Sequence, residues 1–202
     1  RDIDEIKLVS KYYHRNFELD KVIYTAMLEE FKRLAKLDFE QVVTLGYMPQ
    51  DLFYQGELEN MLNATNYPSR RLCLCFDSEM RSDYDRMRRI DMAKDYNLRF
   101  GFKNFGARTS NAALEFSPHI VKLSKDLAYE CTAADYKREL VKDLINFANR
   151  YGFATAAGYI ATAEALSVLR DMGIGIFGGE AVFGEVGLDD IEETARKKFQ
   201  WS

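Results

Sequence analysis

Residues 98–111 read LRFGFKNFGARTSN and place a β-rich run directly before a glycine turn. Its aromatic residues, ending at Phe105, are typical of a buried strand that leads into a loop. In many α/β enzymes such a loop carries acidic metal ligands, but Lys103 and Asn104 stand here instead. The stretch therefore predicts a strand end that is placed like an active site but lacks the residue types of a metal centre.

Outward from this stretch, strand-like and helix-like segments alternate along the chain. Six strands are predicted, near Val42, Leu72, Leu98, Ile120, Phe153 and Ile174. The clearest helical stripe consists of Leu19, Val22, Ile23, Ala26, Met27, Glu30 and Leu34. Such alternation predicts a parallel sheet covered by helices, either an open doubly wound sheet or most of a (β/α)₈ barrel. The phosphate-binding G-x-G-x-x-G of a doubly wound sheet does not follow the first strand, which favours the barrel.

Length and composition indicate one folded domain. The chain has 202 residues, of which 47% are hydrophobic and 13% aromatic. We expect a single domain over residues 1–202, with residues 1–16 as an N-terminal cap or linker. Because the chain begins at Arg1 and not at Met, we expect it to be part of a longer protein.

Charge and cysteine usage argue against several classes of partner. The formal net charge is -4, and the basic cluster at Arg81, Arg86, Arg88 and Arg89 is interspersed with acids, so we expect no nucleic acid partner. No apolar run approaches the roughly 20 residues that span a bilayer. Cys73 and Cys75 fall on one face of a strand and Cys131 is distant in sequence, which predicts reduced core thiols and a cytoplasmic protein.

A further pattern appears when the strand ends are read in order. The stretches concerned are VVTLGYMPQDL (42–52), PSRRLCLCFDSEM (68–80), FGFKNFGARTSNAALEFSPHIVKLSKDL (100–127) and YGFATAAGYIATAEALSVLRDMGIGIFGG (151–179). Their order and spacing resemble the EAL-domain family, the bacterial cyclic di-GMP phosphodiesterases. The resemblance implies a modified (β/α)₈ TIM-like barrel of EAL type. The Glu-Ala-Leu segment has no counterpart in residues 1–16, so we expect this chain to lack the first strand.

Hydrolysis of a phosphodiester in this family implies divalent cations held by oxygen ligands. Carried over by position, the family's ligands are replaced in this chain. The replacements are Gly46 for Asn, Cys75 for Glu, Lys103 and Asn104 for two Asp, Ser124 for Asp, Ala157 and Ile160 for two Glu, and Gly178 for Gln. Lys122 matches the family's active-site Lys. If the positional match at the strand near Leu72 slipped by a residue, Ser78 or Glu79 would be offered in place of Cys75. We therefore expect neither a metal nor a cofactor, and no catalytic residue.

Three functional hypotheses follow. The first is an inactive EAL-like domain that regulates bacterial cyclic di-GMP-related signalling by binding a protein partner or a second copy of itself, as the resemblance implies for such members. The second is a receptor that binds cyclic di-GMP or another nucleotide without cutting it. Its phosphate contacts would come from Lys103, Arg108 and Lys122, and its base platform from Tyr159 or Phe105.

The third hypothesis is an enzyme of different chemistry. It would use a pair of neighbouring acid/base groups, either Asp77 with Glu79 or Glu180 with Lys122. None of these pairs forms a specific motif.

The N-terminal segment bears on how an incomplete barrel stays soluble. A barrel that lacks a strand exposes unpaired backbone groups on its neighbours. We expect Ile3 to Val9 to cover or pair at the gap between the Val42 and Ile174 strands, where the domain self-associates or docks a partner. The alternative is that Ile3 to Val9 form a short surface helix.

Overall fold

In the computed structural model the described residues are 3–36, 43–45, 56–77, 83–107, 111–132, 134–182, 187, 190, 191 and 193. The chain divides into two compact units, residues 1–72 with 187–202 and residues 73–186. The prediction of one domain over residues 1–202 stays a prediction. Within the described part, no helix combines the length and the apolar character that a membrane span requires.

The first unit is mainly helical. Its elements are α1 (Ile3–Tyr12), α2 (Asn16–Leu34), β1 (Val43–Leu45) and α3 (Glu57–Thr65). Helices α2 and α3 pack together, and the Tyr24 hydroxyl donates to the Glu57 carboxylate at 3.0 Å. Leu34 of the predicted stripe is buried, but Val22 is 66% exposed because the buried face of α2 turns toward Phe31 instead.

The N-terminal segment is a helix. Residues Ile3 to Val9 lie within the ten-residue α1, so they do not pair as a strand with a sheet edge. This matches the surface-helix alternative for the segment. Docking at the gap between the Val42 and Ile174 strands stays a prediction, and Val42 itself lies outside the described residues.

The second unit alternates strands and helices. Its elements are β2 (Leu72–Asp77, entering from the first unit), α4 (Asp83–Asp95), β3 (Arg99–Phe105), α5 (Asn111–Phe116), β4 (Ile120–Leu123), α6 (Lys125–Glu130), α7 (Asp135–Arg150), β5 (Ala154–Ala157), α8 (Ala163–Asp171) and β6 (Ile176–Phe177). Strands β2 to β6 pair in parallel, each with the next along the chain. A doubly wound sheet reverses its strand order at a switch point, so this sequential order selects the barrel-type alternative.

Period-two alternation explains how the strands contribute to the core. Leu72, Leu74 and Phe76 occupy one face of β2, and Cys73 and Cys75 the other, and all five are buried. Strands covered on both faces read as continuous hydrophobic runs, as β2 does. The prediction that all three cysteines are reduced and buried agrees with this structure.

Helix α6 was missed from the sequence. The sequence predicts a strand near Ile120 and no helix directly after it, but β4 ends at Leu123 and Ser124 caps a six-residue helix. A helix of this length shows too few turns for its periodicity to register.

Candidate functional site

The carboxyl ends of the parallel strands gather the predicted site residues at one edge of the sheet. In the β2–β3 register Cys75 lies opposite Gly101 and Asp77 opposite Lys103. On the next pair of strands Lys122 lies opposite Ala156. The edge that corresponds to the active end of a (β/α) barrel therefore carries a thiol and two ammonium groups.

Cys75 is the buried member of this group, with 5% of its surface exposed. A hydrogen bond from the Cys73 thiol lowers the pKa of Cys75, burial opposes this shift, and the ammonium groups of Lys122 and Lys103 lower the pKa further. The thiolate form is therefore favoured relative to an isolated cysteine. This differs from the sequence interpretation of Cys75 as an ordinary core thiol, because the lysines that surround it come from other strands.

Lys103 and Asn104 lie at an irregularity in the sheet. Phe102 pairs with Val121 and Phe105 with Leu123, so two residues of β3 oppose the single residue Lys122 of β4. Asn104 accommodates this bulge with a left-handed φ of 58°, which Asn tolerates better than most residues. Lys103 and Asn104 are both half-buried.

Lys122 meets an aromatic ring across the sheet edge. Its Nζ lies 5.1 Å from the centroid of the Tyr159 ring, and the Nζ of Lys125 lies 5.0 Å from the same centroid. A Cβ added at Gly158 would lie 2.7 Å from the Cε of Lys122, so a glycine at this position leaves room for the lysine side chain. Neither lysine forms an ion pair with a carboxylate in the part of the chain that the structure describes. The site therefore presents two cations to one exposed tyrosine.

Ser124 serves the backbone. It is 5% exposed, and its Oγ accepts a hydrogen bond from the Leu127 N–H at 3.4 Å as the N-cap of α6. A hydroxyl engaged in this way stabilises the helix start. Its role as a cap was not predicted from the sequence.

Ala157, Ile160 and Gly178 join the ends of β5 and β6. The Ile160 N–H donates to the Gly178 carbonyl at 3.1 Å, and the Gly178 N–H donates to the Ala157 carbonyl at 2.9 Å. The side chains of Ala157 and Ile160 are buried. These three positions contribute backbone hydrogen bonds and apolar packing, and their side chains offer no oxygen ligand.

The other predicted residues separate into two groups. Gly46, Ser78, Glu79 and Arg108 lie outside the described residues, as does the side chain of Asp77. Phe105 is 1% exposed, and its ring centroid lies 6.0 Å from that of Phe147, so it is a core residue and not a base platform. Glu180 is exposed and is not paired with Lys122, so this acid/base pair of the third hypothesis does not form here.

Two residues that sequence reasoning missed belong to the site. Lys125 follows Lys122 by three positions in KLSK, a spacing that would have suggested a second cation. Cys73 acts through its hydrogen bond to Cys75.

Tyr159 also lines a cavity with Tyr129 and Thr162. The volume of this cavity is 220 Å³, which is below the roughly 300 Å³ at which ligand pockets begin. Among the described residues, no group of three or more His, Cys, Asp and Glu is placed to hold a metal ion.

Comparison with known proteins adds to this geometry. The family model described as EAL domain matches residues 13–184. The solved structure of PaMucR phosphodiesterase in complex with c-di-GMP is 12% identical, with a TM-score of 0.76 over 93% of this chain and 79% of that chain. The EAL domain of Mycobacterium smegmatis DcpA is 16% identical, with a TM-score of 0.75 over 90% of this chain and 85% of that one.

A third solved structure is similar. The Xanthomonas citri FimX EAL domain in complex with c-di-GMP is 18% identical, with a TM-score of 0.69 over 91% of this chain and 78% of that chain. No curated protein matches the chain. At these identities the solved structures establish the fold and leave the chemistry to the residues of this chain.

Proposed function

This chain belongs to the EAL domain family, with an α/β fold of EAL type whose parallel sheet forms part of a TIM-like barrel, and from this premise we propose that it has lost hydrolysis. In this proposal it is a catalytically inactive regulatory domain of bacterial cyclic di-GMP-related signalling. It acts in the cytoplasm by binding another protein chain. The family's fold is retained, and the chemistry of its strand ends has changed.

The observation that carries the proposal is the presence of Cys75 and Lys103 at the ends of neighbouring strands, where the family resemblance implies oxygen ligands. Mg²⁺ and Mn²⁺ favour oxygen ligands, and a buried thiol is a poor substitute. Lys103 adds a positive charge at a position that the family resemblance assigns to a carboxylate. Two unit charges 4 Å apart repel by about 4 kcal/mol at an effective dielectric of 20, and a divalent cation would feel about twice that.

The surrounding residues support the same conclusion. Ser124 caps α6, while Ala157 and Ile160 fill apolar space at the end of β5. Each has a structural use that does not require a metal. Restoring one carboxylate would therefore leave the remaining ligand positions unfilled.

The test is hydrolysis of cyclic di-GMP by the purified chain with Mg²⁺ or Mn²⁺, beside an active EAL phosphodiesterase as positive control. We expect no product above the enzyme-free blank. Lys103→Asp should also show none, because Cys75 and Ala157 still provide no oxygen ligand. Metal-dependent product from the unmodified chain would refute the proposal.

A second candidate function is supported by Lys122 and Lys125 at the Tyr159 ring. Two ammonium groups without a carboxylate partner in the described part suit a phosphate, and an exposed tyrosine suits a base. A receptor that binds cyclic di-GMP or another nucleotide without cutting it would use them. Calorimetric titration with cyclic di-GMP separates the two functions, since heat of binding that disappears in Lys122→Ala would favour the receptor.

A further inference from the structure

Two thiols lie side by side on β2. Cys73 and Cys75 are two residues apart on this strand, so their side chains point to the same face of the sheet. Their exposed fractions are 0% and 5%, and the Cys73 thiol donates a hydrogen bond to Cys75. Both are free cysteines. Two sulfurs are therefore in contact at a buried place in the fold.

The spacing of the pair does not suit a disulfide. Residues two apart on a strand are separated by about 6.6 Å, and their Cβ atoms lie about as far apart because the side chains run parallel. A disulfide needs Cβ atoms about 3.5 to 4.5 Å apart. Two thiolates that hold a metal ion between them can stay further apart, because each metal–thiolate bond spans about 2.3 Å. The pair therefore suits a bridging metal ion better than a direct S–S bond.

The number and type of the ligands select the class of metal. Thiolates favour Cu(I), zinc and iron–sulfur clusters over Mg²⁺ and Mn²⁺. Zinc in a structural site takes four ligands. In the part of the chain that the structure describes, no third His, Cys, Asp or Glu side chain joins the two sulfurs in a metal-binding group. Cu(I) is a soft monovalent ion for which two thiolates in a line are sufficient, so it fits this ligand set best.

Two lysines provide the charge balance that such a site needs. Binding releases one proton from each thiol, and Cu⁺ held by two thiolates carries one net negative charge. The ammonium groups of Lys103 and Lys122 act electrostatically on Cys75. They repel a divalent cation that brings no thiolate charge with it, but they attract the anionic copper–thiolate group. The same lysines therefore disfavour Mg²⁺ and favour bound Cu(I).

The position of Cys75 gives the ion a way in. Cys75 keeps 5% of its surface exposed, whereas Cys73 has none. Gly101 lies opposite Cys75 on β3, and a Cβ added there would lie 3.4 Å from the Cys75 Sγ. Because Gly101 has no side chain, the space beside this sulfur is left free from the side of β3. Cu(I) delivered by exchange from another thiolate carrier would therefore reach Cys75 first, and Cys73 would complete the site.

We infer that Cys73 and Cys75 form a two-coordinate site for Cu(I), with Lys122 as a neighbour that compensates its charge. This site takes a soft monovalent ion, so it does not depend on the proposed loss of hydrolysis, which concerns Mg²⁺ and Mn²⁺. It assigns to β2 a ligand that the family resemblance does not imply.

The test is a competition titration without oxygen, in which the reduced chain takes Cu(I) from the coloured complex of bathocuproine disulfonate. We expect one Cu(I) per chain. Loss of an outer partner already weakens a metal site about 10- to 100-fold, so Cys73→Ser and Cys75→Ser, which each lose a ligand, should bind more than about a hundredfold more weakly. Cys131→Ser, at the third buried free cysteine, is the matched control and should bind like the unmodified chain. Circular dichroism checks the fold of each variant.

X-ray absorption at the copper edge reads the ligands in the unmodified chain and needs no variant. We expect two sulfur ligands and no nitrogen or oxygen ligand. Lys122→Met should weaken binding about 10-fold or more, because it removes the compensating charge, whereas Lys94→Met, at an exposed lysine of α4, should not.

Four results would overturn the inference. They are no Cu(I) binding by the unmodified chain, equal binding in Cys73→Ser and Cys75→Ser, loss of binding in Cys131→Ser, and a nitrogen, oxygen or third sulfur ligand at the copper. Unchanged binding in Lys122→Met would overturn the role given to this lysine.

Discussion

Ser124 offers a direct test of whether a lost ligand position has become a structural one. The hydroxyl of Ser124 caps α6 from a site that is 5% exposed. Replacing an N-cap serine by alanine costs about 0.5 to 2 kcal/mol, and a buried N–H left without a partner costs about 1 to 3 kcal/mol. Because the hydrogen bond to Leu127 is long at 3.4 Å, we expect the loss for Ser124→Ala to be about 1 to 2 kcal/mol.

Two further variants separate the cap from other effects. Thr162→Ala removes the side chain that accepts from Ala165 at 3.2 Å, but Thr162 is exposed and water replaces it, so the loss should be about 0.5 to 1 kcal/mol. Ser124→Asp restores the family's residue while keeping a good N-cap, whose carboxylate the helix N-terminus favours. We expect its stability to lie within about 1 kcal/mol of the unmodified chain.

The assay is urea unfolding at pH 7 followed by circular dichroism, with and without Mg²⁺. For a chain of this size, the Ser124→Ala loss corresponds to a fall in Tm of about 2 to 8 °C. Mg²⁺ that bound the native state would raise its stability. Ser124→Asp should show no such rise, because Cys75 and Ala157 still provide no oxygen ligand. Unchanged stability in Ser124→Ala, or Mg²⁺-dependent stabilisation of Ser124→Asp, would refute the reasoning.

Two other predictions use the same unfolding measurements. Gly106→Ala should lower the free energy of unfolding by about 2 to 4 kcal/mol, since the φ of Gly106 is +89° and an added Cβ would lie 2.4 Å from Leu144. Gly152 has a φ of +76° but open space around it, so Gly152→Ala should lose only the conformational part of about 1 to 2 kcal/mol. Equal losses in the two variants would contradict the crowding at Gly106. Cys75 should react slowly with a thiol reagent in the native chain and rapidly in urea, because it is buried. Because the pKa of Cys75 is lowered in the native chain, the unfolded chain binds more protons between that pKa and about 9, so stability should rise with pH in this window. The rise should vanish in Cys75→Ser. A Cys75→Ser variant with the same pH dependence as the unmodified chain would argue against the thiolate.

Local patterns in the sequence were sufficient for the strands and for the order of the sheet. LCLCFD and RFGFKNF are short apolar runs bounded by polar turns, and both became strands. Because helices separate the strands, neighbours along the chain pair in parallel. The family resemblance then placed Cys75, Lys103 and Lys122 at strand ends, where the structure has them.

The sequence was less informative about what these residues contact. The cap at Ser124 depends on where β4 ends, which a six-residue helix does not reveal by period. The shift at Cys75 depends on lysines from two other strands, and the approach of Lys122 and Lys125 to Tyr159 depends on a left-handed φ of 61° at that tyrosine. These contacts join residues that are distant in sequence or in unusual backbone conformations.

Helix α1 shows the division most clearly. From its sequence, two interpretations of Ile3 to Val9 stayed open, a segment that covers or pairs at the sheet gap and a short surface helix. Which side is covered depends on the neighbour against which the helix packs, and the structure turns Ser10 inward and Leu8 outward. Periodicity is a property of the chain and is encoded locally, whereas burial is a property of the packed pair. Tertiary structure therefore decided that Leu8 lies on the exposed side of α1 and Ser10 on the buried side.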